Sequence, residues 1–215
     1  MEYNTKQLQI IEVAERLFAS KGFAGTSVRD IAQEADINVA MISYYFGSKE
    51  KLIEALFSVR MVQTRTQIEM ILQNEELTPL QKVNIWIDMV IDRLMSNQCF
   101  HKIMMREQLS TERTPIISGQ IMELKIRNME LMKKLITEGQ EKGAFRHDVD
   151  LTLMVTTLYG TINHAMATQD YLKIIQGKEG VEDSQYQLYL RSALSTHLKS
   201  IFKSSVSNEI AHVNQ

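Results

Sequence analysis

The chain has 215 residues, of which only 2 are Pro and 9 are Gly, while 44% are hydrophobic and 23% are charged. This composition excludes wholesale disorder, disfavours a turn-rich sheet protein, and is sufficient for one or two compact helical units. The single cysteine, Cys99, excludes an internal disulfide and a Cys-rich zinc site. The sequence has neither a leader pattern nor a run of 18 apolar residues, so we expect a soluble, cytoplasmic protein without a cofactor or structural metal.

The formal net charge is −2, so the chain has no overall basic character that would attract nucleic acid. Residues 1–52 carry six basic and seven acidic residues. If this segment binds DNA, it must do so through a few well-placed cations and helix N-termini.

The N-terminal segment predicts two short helices with clear boundaries. Helix 1 runs from about Lys6–Lys21, with Asn4 or Thr5 as its N-cap and Gly22 just after its end. A capping box at Ser27–Asp30 opens helix 2.

A third helix follows after a tight turn at residues 35–38. Asn38 caps this helix, which covers Val39–Tyr45, and Gly47 ends it. Helices joined in this way form a helix-turn-helix unit, whose last helix can enter a DNA major groove. The pattern alone fits a plain three-helix bundle equally well.

The rest of the chain predicts six more helices, so that the protein has about nine in all. Thr-Pro steps at 78–79 and 114–115 mark two of the helix starts. The predicted helices are helix 4 from Ser48 to about Glu75, helix 5 from Pro79 to Asn97, helix 6 from Phe100 to Leu109, helix 7 from Pro115 to Lys142, helix 8 from Leu151 to Tyr171, and helix 9 from Ser184 to Lys203.

Three strings in residues 22–52 carry a family resemblance. They are Gly-Phe-Ala-Gly-Thr-Ser-Val-Arg-Asp-Ile-Ala at 22–32, Ile-Ser-Tyr-Tyr-Phe at 42–46 and Ser-Lys-Glu-Lys-Leu at 48–52. In this order and spacing, the segment resembles the N-terminal domain of the TetR family of bacterial transcriptional regulators. The resemblance implies an all-α protein with a DNA-binding domain at 4–64, its helix-turn-helix at about 27–46, and a ligand-binding and dimerisation domain at 65–203. The polar remainder at 204–215 is expected to be a frayed tail.

The resemblance also implies which residues contact DNA. Residues at the start of helix 2 would contact phosphates, because helix N-termini bind anions, and the aromatic residues of helix 3 would clamp the backbone. The predicted DNA-binding residues are Thr26, Ser27, Arg29, Asn38, Val39, Ala40, Met41, Ser43, Tyr44, Tyr45 and Lys49.

The first turn of helix 3 departs from the family pattern. Val39, Ala40 and Met41 offer no side-chain hydrogen bonds, so contact with thymine methyl groups and DNA shape is the expected readout. Asp36 replaces a frequent glycine in the turn. Tyr44 and Tyr45 have an alternative role, which is to cover the small core.

For the C-terminal domain, the resemblance implies dimerisation through the last two long helices. Their apolar stripes suit a four-helix bundle across a twofold axis, although each stripe fits an intramolecular core equally well. The predicted interface residues are Leu151, Val155, Leu158, Ile162, Leu194, Leu198 and Ile201.

A small-molecule effector is expected between helices 5 and 8, where many of the 13 methionines fall. An inward-facing Arg106 would favour an acidic ligand, whereas a solvated one would leave a largely apolar pocket. The candidate ligand-binding residues are Trp86, Met89, His101, Met105, Arg106, Tyr159, Asn163 and His164.

An enzyme is not expected, because no histidine pair at ligand spacing, phosphate loop or nucleophile elbow is present. We therefore expect a homodimeric repressor that a small molecule releases from operator DNA. The alternative is a similar protein whose main partner is another protein, with DNA binding secondary.

Overall fold

The computed structural model of the chain describes residues 3–207, without the side chain of Gln63. The described residues divide into two compact units. The first unit comprises 3–67 and 97–127, and the second comprises 68–96 and 128–207.

The described residues form ten helices, which confirms the all-α prediction. They are α1 (Thr5–Lys21), α2 (Val28–Glu34), α3 (Val39–Phe46), α4 (Lys49–Gln73), α5 (Pro79–Ser96), α6 (Gln98–Leu109), α7 (Pro115–Glu141), α8 (Leu151–Ala167), α9 (Gln169–Ile175) and α10 (Asp183–Val206).

The helix caps of the first unit are formed by the residues that the sequence predicts. The Asn4 side chain accepts a hydrogen bond from the Gln7 amide and caps α1. Ser27 and Asp30 form the capping box of α2. Gly22 (φ 80°) and Gly47 (φ 81°) follow α1 and α3 with backbone conformations that L-residues rarely adopt.

The turn between α2 and α3 is formed without the usual glycine. Asp36 adopts the left-handed conformation itself, with φ 50°. Its short polar side chain makes this conformation tolerable. The Ile37 amide donates to the Ala32 carbonyl at 3.0 Å, so the turn is closed by a backbone hydrogen bond.

The core of the first unit joins α1, α2, α3 and the start of α4 to α6. Phe18, Ile31, Ile42 and Leu52 are fully buried, as the sequence predicts. Phe57 on α4 packs edge-on against Phe100 on α6, with ring centroids 4.9 Å apart. Ile42 thereby anchors α3 and leaves its other faces outward.

The second unit is built around α5, α8 and α10. Trp86 on α5 and Phe202 on α10 are buried, and their ring centroids lie 6.2 Å apart. The α5–α10 contact also carries charged pairs: Arg191 binds Asp92 at 2.8 Å, and Lys199 binds Asp88.

The predicted end of helix 8 is wrong. Predicted helix 8 extended to Tyr171, but α8 ends at Ala167, because Thr168 leaves the helical conformation and its hydroxyl donates to the His164 carbonyl. The short helix α9 then follows, so the described residues form ten helices where about nine are predicted.

The predicted frayed tail does not begin at residue 204. α10 continues to Val206, whose side chain is fully buried. The Arg146 amide donates to the Val206 carbonyl at 2.9 Å, and Phe145 pairs with Ser207 in an isolated β-bridge. Residues 208–215 of the predicted tail lie outside the described residues.

Candidate nucleic-acid interface

The outward faces of α3 are uncharged. Tyr44 is 81% exposed and Val39 is 37% exposed. Ala40 and Ser43 are also exposed, while Met41 is half-buried. The α3 surface therefore offers methyl groups, one hydroxyl and a phenol to a partner.

Asn38 fixes the start of α3. Its side-chain oxygen accepts a hydrogen bond from the Ala40 amide at 2.8 Å. Because the oxygen serves as the cap, the NH₂ group of Asn38 is the end that can turn to a base edge.

The structure gives Thr26 a role different from the predicted phosphate contact. Its side chain is 1% exposed, and its hydroxyl lies 2.8 Å from the Gly22 carbonyl oxygen and 3.2 Å from that of Leu17. A hydroxyl buried in this way cannot reach a phosphate, so Thr26 stabilises the segment between α1 and α2 instead.

Ser27 is exposed, but its hydroxyl is engaged in the cap of α2. It donates to the Asp30 carboxylate at 2.6 Å and accepts from the Asp30 amide at 3.1 Å. The Ser27 backbone amide also donates to this carboxylate, at 2.8 Å, and the two bonds from the Ser27 hydroxyl and amide lower the pKa of Asp30. A phosphate at Ser27 must therefore compete with an ionised carboxylate, whereas the neighbouring Arg29 is exposed.

Lys49 has a structural role that sequence reasoning missed. Its Nζ donates to the carbonyls of Phe23 and Thr26, both at 2.9 Å, and lies 4.3 Å from the centroid of the Phe23 ring. An ammonium group has three N–H donors, so one remains for a phosphate. Lys49 holds the segment before α2 in place.

Tyr44 and Tyr45 differ in their surroundings. Their rings meet edge-on with centroids 5.2 Å apart. Tyr45 is half-buried and packs against the core of the first unit, whereas Tyr44 is not part of that core. The alternative role of core cover therefore applies to Tyr45, and Tyr44 is the exposed aromatic group.

The candidate ligand-binding residues fall in both units. His101, Met105 and Arg106 lie on α6 in the first unit, and the other five lie in the second. Arg106 is exposed, and its Nη2 donates to the Ser20 carbonyl at 3.3 Å. Of the two alternatives for Arg106, the structure shows the solvated one, so Arg106 itself gives no support for an acidic ligand. His101 is half-buried, and its burial lowers its pKa.

In the second unit, a polar contact joins α5 to α8. The Arg93 guanidinium donates to the Tyr159 hydroxyl at 3.0 Å, and Asn163 follows Tyr159 by one helical turn. Met89 and Tyr159 are half-buried against the apolar core, in which Trp86 is 2% exposed. His164 is exposed on α8 and is not part of this core, contrary to the prediction that groups it with Tyr159.

Four of the predicted interface residues belong to the core of their own unit. Leu158, Ile162, Leu194 and Leu198 are at most 5% exposed, so their side chains are not available to a partner. The remaining three, Leu151, Val155 and Ile201, are half-buried. For the four buried residues, the intramolecular alternative is the correct one.

Residues 3–207 contain no cluster of three or more His, Cys, Asp or Glu side chains placed to hold a metal ion. Within the same residues, no helix is both long and apolar enough to span a membrane.

Two family models match the chain. The model for bacterial regulatory proteins of the tetR family matches residues 10–56, and the model for the tetracyclin repressor-like C-terminal domain matches residues 79–196. The second match alone spans more than half of the chain. The chain therefore belongs to the TetR family, and it is a DNA-binding transcription regulator.

Curated relatives agree with this assignment. The chain is 59% identical over 58 residues to the probable HTH-type transcriptional regulator YttP of Bacillus subtilis, a match that covers 27% of this chain and 28% of that protein. It is 28% identical over 165 residues to the HTH-type transcriptional repressor NicS of Pseudomonas putida, which covers 74% of this chain and 77% of that protein.

Solved structures show the same fold. The fatty acid degradation regulator FadR of Bacillus halodurans superposes with a TM-score of 0.70 at 24% identity, over 99% of this chain and 100% of that one. FadR of Bacillus subtilis in complex with stearoyl-CoA superposes with a TM-score of 0.65 at 23% identity, over 90% of this chain and 97% of that one.

Proposed function

We propose that the protein is a homodimeric repressor that a small-molecule effector releases from its operator. The observation that carries the proposal is the exposed, uncharged α3, anchored by Ile42 within a helix-turn-helix of the family. In this proposal, each subunit places α3 in one major groove, and the two half-sites lie about 34 to 36 Å apart.

The α3 surface favours a particular DNA readout. Val39, Ala40 and Met41 would contact thymine methyl groups, while Arg29 and Tyr44 would contact the backbone. Because apolar contacts discriminate less sharply than bidentate hydrogen bonds, we expect sequence preference to depend partly on DNA shape.

The effector class proposed for the first test is an acyl-CoA thioester. The support comes from the second unit, where methionines pack around an apolar core that also holds the Arg93–Tyr159 contact. FadR of Bacillus subtilis, which has the same fold, was solved with stearoyl-CoA. For release to occur, the effector must bind the DNA-free state more tightly, with a typical coupling of about 1 to 3 kcal/mol.

The test is selection of genomic DNA fragments by the purified chain, followed by measurement of affinity for the recovered site. Tyr44→Ala should weaken binding about tenfold, or ~1.4 kcal/mol, on every sequence. Tyr171→Ala removes a tyrosine that is 59% exposed on α9 and serves as the matched control. Acyl-CoA thioesters of increasing chain length are then added to the complex.

Failure to enrich any fragment would contradict DNA binding and favour the protein-partner alternative. If Tyr44→Ala and the control bind DNA with equal affinity, α3 is not part of the DNA-binding surface. If DNA binds but no acyl-CoA releases it, only the effector class is wrong.

A further inference from the structure

Both oxygens of Asn38 face the first turn of α3. The side-chain oxygen accepts from the Ala40 amide at 2.8 Å, and the backbone carbonyl accepts from the Met41 amide at 2.9 Å. These bonds orient the side chain with its oxygen toward the helix and its NH₂ group away from it. Because Asn38 is exposed, its outward end offers a partner two N–H donors.

The rest of α3 lacks the side chains that read bases through paired hydrogen bonds. None of its eight residues is Arg, Lys, Asn, Gln, Asp or Glu. Arg and Lys read guanine, Asn and Gln read adenine through both ends of the amide, and Asp and Glu accept from cytosine. Asn38 cannot read adenine in this way while its oxygen caps the helix. Apart from the hydroxyls of Ser43 and Tyr44, α3 therefore offers a base edge one amide donor and several methyl groups.

Thymine matches this combination of groups. In the major groove, thymine has an acceptor, O4, beside its C5-methyl group. Guanine has acceptors without a methyl group, while adenine and cytosine each present an amino donor. Val39 and Ala40 are exposed and follow Asn38 directly. A donor for O4 and an apolar surface for the methyl group thus lie side by side at the start of α3.

We propose that Asn38 determines sequence preference by donating a hydrogen bond to O4 of a thymine, while Val39 or Ala40 contacts the C5-methyl group of the same base. The inference rests on the proposed placement of α3 in the major groove, and it names the base that is read there. Asn38 thereby has two roles, since the oxygen that caps α3 also fixes the direction of the donor.

The experiment uses base analogues in the DNA site that the purified chain recovers. Each thymine is replaced in turn by uracil, which lacks the methyl group, and by 5-methylcytosine paired with guanine, which keeps the methyl group but presents an amino donor. At one thymine per half-site, uracil should weaken wild-type binding about fourfold, the effect of one buried methyl group. At the same thymine, 5-methylcytosine should weaken binding at least about fivefold.

Substitutions of Asn38 test the direction of the hydrogen bond. Asn38→Asp keeps a capping oxygen, because Asp and Asn are similarly good N-caps, but it replaces the outward donor with an acceptor. It should therefore bind the 5-methylcytosine site more tightly than the thymine site, which reverses the wild-type order. Asn38→Ser also caps the helix but has no amide, so it should bind the two sites about equally.

Asn4→Asp is the matched control for the added charge. Asn4 caps α1 in the way that Asn38 caps α3, since its side-chain oxygen accepts from the Gln7 amide at 2.9 Å. The control should therefore keep the wild-type order of the two sites. Affinities are compared as ratios at low salt, where binding is strongest, so that a general loss from the new carboxylate cancels.

Two results would overturn the inference. One is that no thymine responds to both replacements, and the other is that folded Asn38→Asp and Asn38→Ser both keep the wild-type order. If Tyr44→Ala still loses affinity in these cases, α3 remains on the DNA and only the role of Asn38 is wrong. A wild-type chain that selects no DNA would reject the proposed placement of α3 together with the inference.

Discussion

Thr26 and Lys49 act together on the segment between α1 and α2. Thr26 directs its hydroxyl to the carbonyls at the end of α1, and Lys49 directs its ammonium to the carbonyls of Phe23 and Thr26. Both side chains thus supply donors to backbone oxygens, of which those of Gly22, Phe23 and Thr26 lie outside the helices. The start of α2, where phosphate contact is proposed, depends on this small network.

Replacing Thr26 by Val tests the network. The substitution keeps the shape of the side chain but removes the buried donor, so we expect a loss of about 1 to 3 kcal/mol in the free energy of unfolding. Urea unfolding measures this loss. Thr111→Val, at an exposed position of the same unit, should change the value by less than ~0.5 kcal/mol. Equal effects of the two substitutions would contradict the role given to the hydroxyl.

The backbone conformation of Asp36 leads to a second prediction about a single residue. Its φ of 50° lies in the left-handed region, where a β-branched side chain is strained. Asp36→Val should therefore lower the free energy of unfolding by about 1 to 2 kcal/mol. Asp36→Gly should leave it nearly unchanged, because relief of strain is offset by the entropy of the unfolded chain. Thermal unfolding of both variants checks the difference, and a stable Val variant would contradict it.

At the scale of elements, the buried Lys82 joins three helices of the second unit. It is 2% exposed on α5, and its Nζ donates to the Leu72 carbonyl of α4 and to the Glu138 carboxylate of α7. Burial alone would raise the pKa of Glu138, but hydrogen bonds from Lys142 and Lys82 hold it below the usual value.

Glu138→Gln should consequently destabilise the protein in a pH-dependent way. At pH 7 the loss should be about 3 kcal/mol, since a buried ammonium loses its charged partner. Because the pKa of Glu138 is lowered in the folded state, its contribution is present above about pH 5 and is lost as the pH falls through the folded pKa. The difference from wild type should therefore shrink at pH 3 in urea titrations. Glu141→Gln, exposed on the same helix, is the control, and a constant difference would contradict the assignment.

Helix boundaries could be predicted because they depend on local chemistry. Asn4, Ser27 and Asn38 cap their helices as expected, and Gly22 and Gly47 end theirs. The role of Thr26 could not be predicted in this way, because its partners are carbonyls set by the fold of the α1–α2 segment.

The outward side of α8 could not be predicted for a different reason. Apolar periodicity identifies Leu158 and Ile162, which go into the core of their own unit. Apart from Leu153, the exposed side of α8 carries Thr157, Gly160 and His164, residue types that give no hydrophobic signal. A pattern of apolar residues reports burial but not whether the burial is within one chain or between two.

At the scale of the whole molecule, charge sets how DNA binding responds to salt. The net charge is −2, and on the proposed DNA-binding surface Arg29 is exposed while Lys49 has one donor left. With one or two phosphate-neutralising cations per subunit, a dimer should give a slope of log affinity against log salt of about −2 to −4. Titrations of the recovered site between low and moderate salt measure the slope. A value near −10 would contradict this interface and require further cations.

The end of α10 has a consequence for how the protein can be engineered. The Phe145–Ser207 bridge and the bond from Arg146 to Val206 fasten the last turn of α10 to the segment before α8. A reporter or degradation tag fused after Ser207 preserves these bonds. A fusion joined at residue 203 deletes the buried Val206, exposes the underlying core, and creates a substrate for cellular proteases.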